Sequence, residues 1–227
     1  MILVVGSLVA CQQRPADRES GSVQADKSAA NEPSFDQQLE EVMVGRSETI
    51  SVRGEIVTDD DLQKLESAVG LRHLVIEQSS VTDEGISVLS RLPELTQIKL
   101  RGAALGDAGL RVLASLPELR FVNLPHANFS DEALANLAKL PELEQLRFGS
   151  PRVTDEGMKS IASMKKLRFL HMIGVPITGQ GLKELAVMSQ LESLYIDDVE
   201  IDAESVDELH AALPEIHFHI NQRHHDR

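Results

Sequence analysis

Few residues in this chain are of types that do chemistry, and their spacing decides between a site and scaffolding. His217 and His219 alternate with Ile216, Phe218 and Ile220. They would share one face of a strand, the spacing at which two imidazoles can take one metal ion. No Cys or carboxylate follows at matching spacing, so they are expected to be solvent-facing neighbours and no metal site is assigned. Asp59-Asp60-Asp61 offers oxygen ligands of the kind calcium prefers, and Asn128-Phe129-Ser130 matches a glycosylation sequon. Cys11 is the only Cys and closes the run Leu8-Val9-Ala10-Cys11. A Gly-rich phosphate loop, a zinc-binding Cys or His-Glu-x-x-His pattern and a nucleophile elbow are all missing from the sequence. The expectation is a non-enzyme without a cofactor.

Asp59-Asp60-Asp61 and the sequon are embedded in a repeat. The stretch Leu71 to Glu94, LRHLVIEQSSVTDEGISVLSRLPE, recurs with a period of 24 residues, new copies starting at Leu95, Leu119, Leu143, Leu167 and Leu191. The fourth residue of each copy is apolar (Leu74, Ile98, Val122, Leu146, Leu170, Leu194), and so is the sixth (Ile76, Leu100, Leu124, Phe148, Met172, Ile196). A degenerate copy starting at Ser47 carries Ile50, Val52, Val57, Leu62 and Leu65 in the same slots. Apolar residues at positions four and six read as a short strand with one buried face. Those at sixteen, nineteen and twenty-two have helical spacing. Thr58-Asp59-Asp60, Thr82-Asp83-Glu84, Ser130-Asp131-Glu132 and Thr154-Asp155-Glu156 read as helix starts, with a capping hydroxyl and acidic residues at the positive end of the dipole. In this frame Asp59-Asp60-Asp61 fills a helix-start slot and needs no ion, and Phe129 of the sequon belongs to the core. Pro93, Pro117 and Pro141 stop the helices. Gly85, Gly109, Gly157 and Gly181 lie in first turns, where glycine normally costs about 1 kcal/mol. They imply that neighbouring coils approach too closely there for a side chain.

One such unit cannot bury its apolar face, but stacked copies share a continuous core. The pattern LxxLxL, then VTDEGL, then LxxLP resembles the leucine-rich repeat family in its 24-residue bacterial form, over residues 47–215. The resemblance implies an α/β fold: a right-handed solenoid, or horseshoe, with a parallel sheet on the concave face and helices on the convex face. Many family members ladder an Asn or Cys along the turn at the ninth or tenth position. Here those places hold Ser79-Ser80, Ala103-Ala104, Ala127-Asn128 and Pro151-Arg152, so the turns are expected to rest on backbone bonds and on the apolar eleventh residue.

The flanks have their own logic. Residues 1–10 are an apolar run too short to span a bilayer but fitting the core of a secretory signal. The tetrapeptide ending in Cys11 resembles the lipobox of bacterial lipoproteins, which implies cleavage before Cys11 and acylation of it. Gln12 after that Cys implies sorting to the outer membrane. The lack of Lys or Arg after Met1 leads us to expect the true translation start upstream. Residues 11–34 have almost no large apolar side chain and read as a disordered tether. Residues 35–46 place Phe35, Leu39, Val42 and Met43 at helical spacing behind a Ser34 cap, a helix expected to cover the open end of the first coil. This segment is about half the size an F-box needs, which disfavours a substrate-adaptor role. Residues 216–227 should supply a strand that closes the stack, followed by a polar tail with His224 and His225.

With 42% apolar and 26% charged residues the chain has a globular composition. A net charge of −14 argues against nucleic acid as a partner, since that needs a basic face. Much of this charge sits at the helix starts.

What remains is the outer side of the sheet, formed by positions three, five and seven. Strands about 4.8 Å apart give seven of them a surface about 29 Å long. Position three reads Thr49, His73, Gln97, Phe121, Gln145, Phe169, Ser193. Position five reads Ser51, Val75, Lys99, Asn123, Arg147, His171, Tyr195, and position seven Arg53, Glu77, Arg101, Pro125, Gly149, Ile173, Asp197. Phe121, Phe169 and Tyr195 therefore point outward around Arg147 and His171, with Asn123, Lys99 and Arg101 nearby. Aromatic and Arg anchors are what protein-binding surfaces favour. The sequence thus leads to an envelope-anchored protein-binding module, membrane-associated only through its lipid, with the ligand on the concave face. The alternative is a structural or self-associating envelope protein. A glycan-binding role would need convergent carboxylates that the three rows lack.

Overall fold

The computed structural model describes residues 32–221 and 223–224. The expected signal, Cys11 and most of the tether lie outside them, as does His225.

The chain begins with helix α1 (Phe35–Met43) and then alternates strands with helical turns: β1 (Thr49–Val52), α2 (Asp59–Gln63) running into a 3-10 turn (Lys64–Ser67), β2 (His73–Ile76), a 3-10 helix (Gly85–Arg91) and β3 (Gln97–Leu100). There follow α3 (Asp107–Leu113), β4 (Phe121–Leu124), α4 (Asp131–Leu137), β5 (Gln145–Phe148), α5 (Asp155–Ala162), β6 (Phe169–Ile173), α6 (Gly179–Leu185), β7 (Ser193–Asp197), α7 (Ala203–Ala212), β8 (His217–Ile220) and β9 (Arg223–His224). The strands form one open sheet in chain order. β1 to β8 pair in parallel and in register with the repeat, Thr49 opposite His73, His73 opposite Gln97, and so on to Ser193 opposite His217. Each helical segment carries the chain from one strand to the next. The residues at positions four and six are all buried, most with no exposure at all. Removing each such side chain from water contributes about 1.5–3 kcal/mol, and a single core runs from Phe35 to Ile220.

The helix starts do more than cap. Thr58, Ser130, Thr154 and Thr178 each accept a backbone N–H of their own helix through the side-chain hydroxyl. In each of the first five copies an Asp fills the next position, and it reaches across to the following coil. Asp59 accepts the backbone N–H and hydroxyl of Thr82 at 2.8 and 2.7 Å. Asp107 does the same for Ser130, Asp131 for Thr154, and Asp155 for Thr178. Asp83 accepts the N–H of Gly106. Burial pushes the Asp107 carboxyl up, but the Ser130 bonds and the Arg152 guanidinium outweigh that and hold it below the usual carboxylate range. The turns are therefore tied by an aspartate ladder in addition to backbone bonds such as Ser80 N–H to Val57 O. The glycines of the first turns make room for it: a Cβ on Gly85, Gly109, Gly157 or Gly181 would fall on the Asp59, Asp83, Asp131 or Asp155 carboxylate.

The last junction is permuted. Gly179 stands where the five preceding coils have the bridging Asp, Asp202 where all earlier coils but the one with Gly106 have Thr or Ser, and Ser205 in the slot of Gly85, Gly109, Gly157 and Gly181. Asp202 accepts the N–H and hydroxyl of Ser205, both at 2.8 Å, and a Cβ on Gly179 would fall on the Ser205 hydroxyl.

Several expectations need correction. α1 stops at Met43, short of residue 46, and Met43 is exposed rather than packed, because the chain leaves the helix through Val44 and a left-handed Gly45. The second copy forms a 3-10 helix: Ser87 and Ser90 hydroxyls each bond the carbonyl three residues back, competing with the α pattern. β8 does not end the sheet, since β9 pairs with it antiparallel, His219 opposite His224, after a turn at left-handed Asn221. His219 is only 6% exposed instead of solvent-facing, because Tyr195 covers it.

The sheet's first edge is closed by α1. Phe35 and Val42 are buried against the first coil, and the Gln38 side-chain amide mimics a strand residue, donating to Ser51 O and accepting from Ser51 N–H at 2.8 and 2.7 Å. An edge that would otherwise invite another strand is thereby occupied.

Candidate functional site

Period-two strands in register turn the odd positions of successive coils into straight rows on the outer face of the sheet. Phe121, Gln145 and Phe169 are direct neighbours in one row, and Asn123, Arg147, His171 and Tyr195 in the next. Lys99 joins that row from β3, and Arg101 lies just past the end of β3. All eight residues expected at the site thus fall on one wall spanning β3 to β7. All are half-buried except Arg101, which is exposed.

Side chains along the central row are linked. Arg147 donates from Nη1 to Asn123 Oδ1 at 3.2 Å and from Nε to His171 Nδ1 at 3.1 Å. His171 Nε2 lies 2.9 Å from Asp197 Oδ2. Since Nδ1 accepts from Arg147, the imidazole proton sits on Nε2 and points at Asp197. Burial pushes His171 below its ordinary value; Asp197 opposes this and Arg147 adds to it. The Arg147 guanidinium is likewise lowered by burial and by the nearby Arg101, with Asp197 and Glu77 opposing. Lys99 is neutralised by Glu77, Nζ to Oε1 2.6 Å.

Aromatic side chains frame this relay. The His171 and Tyr195 rings lie 5.5 Å apart, and Tyr195 stacks on His219 at 4.4 Å and 9°. The Arg120 and Arg168 guanidiniums lie over Phe121 and Phe169 at 5.7 and 5.5 Å. Two shallow depressions result. One of about 320 Å³ is lined by Gln145, Arg147, Phe169, His171, Ser193 and Tyr195. The other, of about 300 Å³, lies between Lys99, Phe121, Asn123 and Gln145. A roomier concavity of about 700 Å³ lies between α1 and β1, but Glu32, Gln37, Gln38, Glu40 and Glu41 dominate its lining and no aromatic side chain reaches it.

Two contributors were not anticipated from the sequence: His219, which supports Tyr195, and Asp197, which sets the His171 tautomer. Carrying the position-three and position-five rows one strand further, to His217 and His219, would have found the first. Their Nε2 atoms lie 2.8 Å apart, and the described residues contain no group of three or more metal-ligating side chains. No helix among the described residues is long and apolar enough to cross a membrane.

The sequence matches no protein-family model and no curated protein sequence. Its structure is similar to that of internalin C2 from Listeria monocytogenes, with a TM-score of 0.58, 23% sequence identity, and coverage of 79% of this chain and 72% of that one. The likeness is one of fold, and it covers the same stacked strand-and-helix coils that the repeat encodes. The chain has the leucine-rich-repeat fold: an open α/β solenoid whose parallel sheet grows by one strand per 24-residue unit.

Proposed function

We propose that this protein is a non-enzymatic interaction module of the bacterial cell envelope that binds a protein or peptide on the outer face of its sheet, centred on Phe121, Arg147, Phe169, His171 and Tyr195. One observation carries the reading. Phe35, Phe129, Phe148 and Phe218 are buried, whereas Phe121, Phe169 and Tyr195 stay half-exposed side by side on a single wall. Aromatic side chains with fixed rotamers give large contact area at low entropic cost, which is why they anchor interfaces. Strands held from both sides in register make the wall rigid before a partner arrives.

Capture by chemical crosslinking from envelope extracts tests the reading. The intact protein should retain a partner that the Phe169→Ala/Tyr195→Ala variant loses; equal capture by both rules out these anchors. Attachment through an acylated Cys11, with sorting to the outer membrane, is part of the proposal and rests on the LVAC sequence. Incorporation of labelled fatty acid should disappear in Cys11→Ser, and an unlabelled intact protein would remove the anchor from the proposal.

A further inference from the structure

Within residues 32–221 only two Arg or Lys side chains are half-buried, Lys99 and Arg147; the others there are exposed. Lys99 has Glu77 as its counterion. Arg147 has none: both of its side-chain partners, Asn123 Oδ1 and His171 Nδ1, are neutral acceptors. Withdrawing a cation from water without an opposite charge is unfavourable, and the neighbouring Arg101, which also lacks an ion pair among the described residues, adds repulsion. The nearby carboxylates are committed elsewhere, Glu77 to Lys99 and Asp197 to His171. Lys99, Arg101 and Arg147 therefore outnumber Glu77 and Asp197 on this wall, in a molecule of net charge −14.

The geometry also orients the unmet charge. Asn123 and His171 grip Nη1 and Nε, which leaves Nη2 and the second Nη1 hydrogen without an acceptor among the described residues. The open Nη2 donors suit a carboxylate oxygen. Beside them lies the depression between Phe169 and Tyr195.

We propose that Arg147 receives a carboxylate from an Asp or Glu side chain of the bound protein segment, with Arg101 reinforcing the field and a neighbouring apolar side chain of the same segment seated between Phe169 and Tyr195. This rests on the reading of the wall as a protein-binding face and names the chemistry of the partner. His171 and Asn123 act as positioning residues for the guanidinium.

The test uses the full chain and two probes. In the first arm, sodium acetate is titrated at constant ionic strength while the Asn123 amide and His171 ring resonances are followed by NMR. Saturable shifts are expected, absent in Arg147→Met and retained in the exposed-site control Arg111→Met. Non-saturating shifts, shifts that persist in Arg147→Met, or saturation by inorganic phosphate at lower concentration than acetate would overturn the carboxylate assignment. In the second arm, crosslinked capture is compared for wild type, Arg147→Met and Phe169→Ala/Tyr195→Ala. At least a tenfold loss in Arg147→Met supports the proposal. Capture lost only in the aromatic variant overturns it while leaving the protein-binding face intact. Capture unaffected in both removes the face as well.

Discussion

The helix-start rim of this solenoid and the outer wall of its sheet are contributed by the same coils, yet they are filled by opposite rules. Along the rim an Asp, a hydroxyl residue and a glycine recur, each Asp tying its coil to the next. Along the middle row of the wall no residue type repeats from β3 to β7: Lys99, Asn123, Arg147, His171 and Tyr195 occupy equivalent places in consecutive strands. A position that must satisfy a neighbouring coil sees the same environment in every copy and takes the same residue. A position facing outward is free of that demand. Variation there is what an outward-facing position permits, and the proposed partner contacts draw on it.

That contrast can be broken most forcefully with one residue type on the two sides of the sheet. Phe148 is fully buried with its ring 5.4 Å from that of Phe129. Phe148→Ala should cost about 3–5 kcal/mol in urea denaturation and act on binding only through unfolding. At the rim, Asp131→Ala removes both bonds to Thr154. A loss of about 2–3 kcal/mol is expected, again without altering capture by the folded protein. The permuted junction sharpens the rule further. Gly179→Asp alone should destabilise by about 1–3 kcal/mol through overpacking, since its side chain would meet Ser205 and Asp202. Adding Asp202→Thr and Ser205→Gly rebuilds the ordinary ladder and should restore the denaturation midpoint; a triple variant as unstable as the single one would show that the rim pattern is not transferable.

Effects on the wall should be smaller in stability and larger in binding. His171 has a folded pKa below its ordinary 6.5, so between 6.5 and the folded value the unfolded chain takes up a proton that the fold resists. Stability should decline as pH falls through that window and level off beneath it, and His171→Gln should flatten the profile. Protonation also places a hydrogen on Nδ1 facing Arg147 Nε–H, so partner capture should weaken over the same range. Phe169→Ala with Tyr195→Ala should have the smallest effect on folding, below about 1 kcal/mol each, since both side chains are already half in water. A midpoint shift as large as that of Phe148→Ala would mean that the wall is scaffold like the rim.

The 24-residue period, the strand and helix slots, the Ser34 cap and the close approach at the glycines are all legible in the chain, because each depends on residues a few positions apart or on strict repetition. Even the outward rows follow from counting by two along each strand and by 24 between strands. Three features needed the folded molecule: the reach of each Asp into the following coil, the chain of contacts from Asn123 through Arg147 and His171 to Asp197, and the lack of a counterion for Arg147. Each depends on where rotamers from different coils converge and on which acceptors are already taken. A linear pattern places side chains on a face, but only packing in three dimensions settles which partner each one finds and which charge is left over.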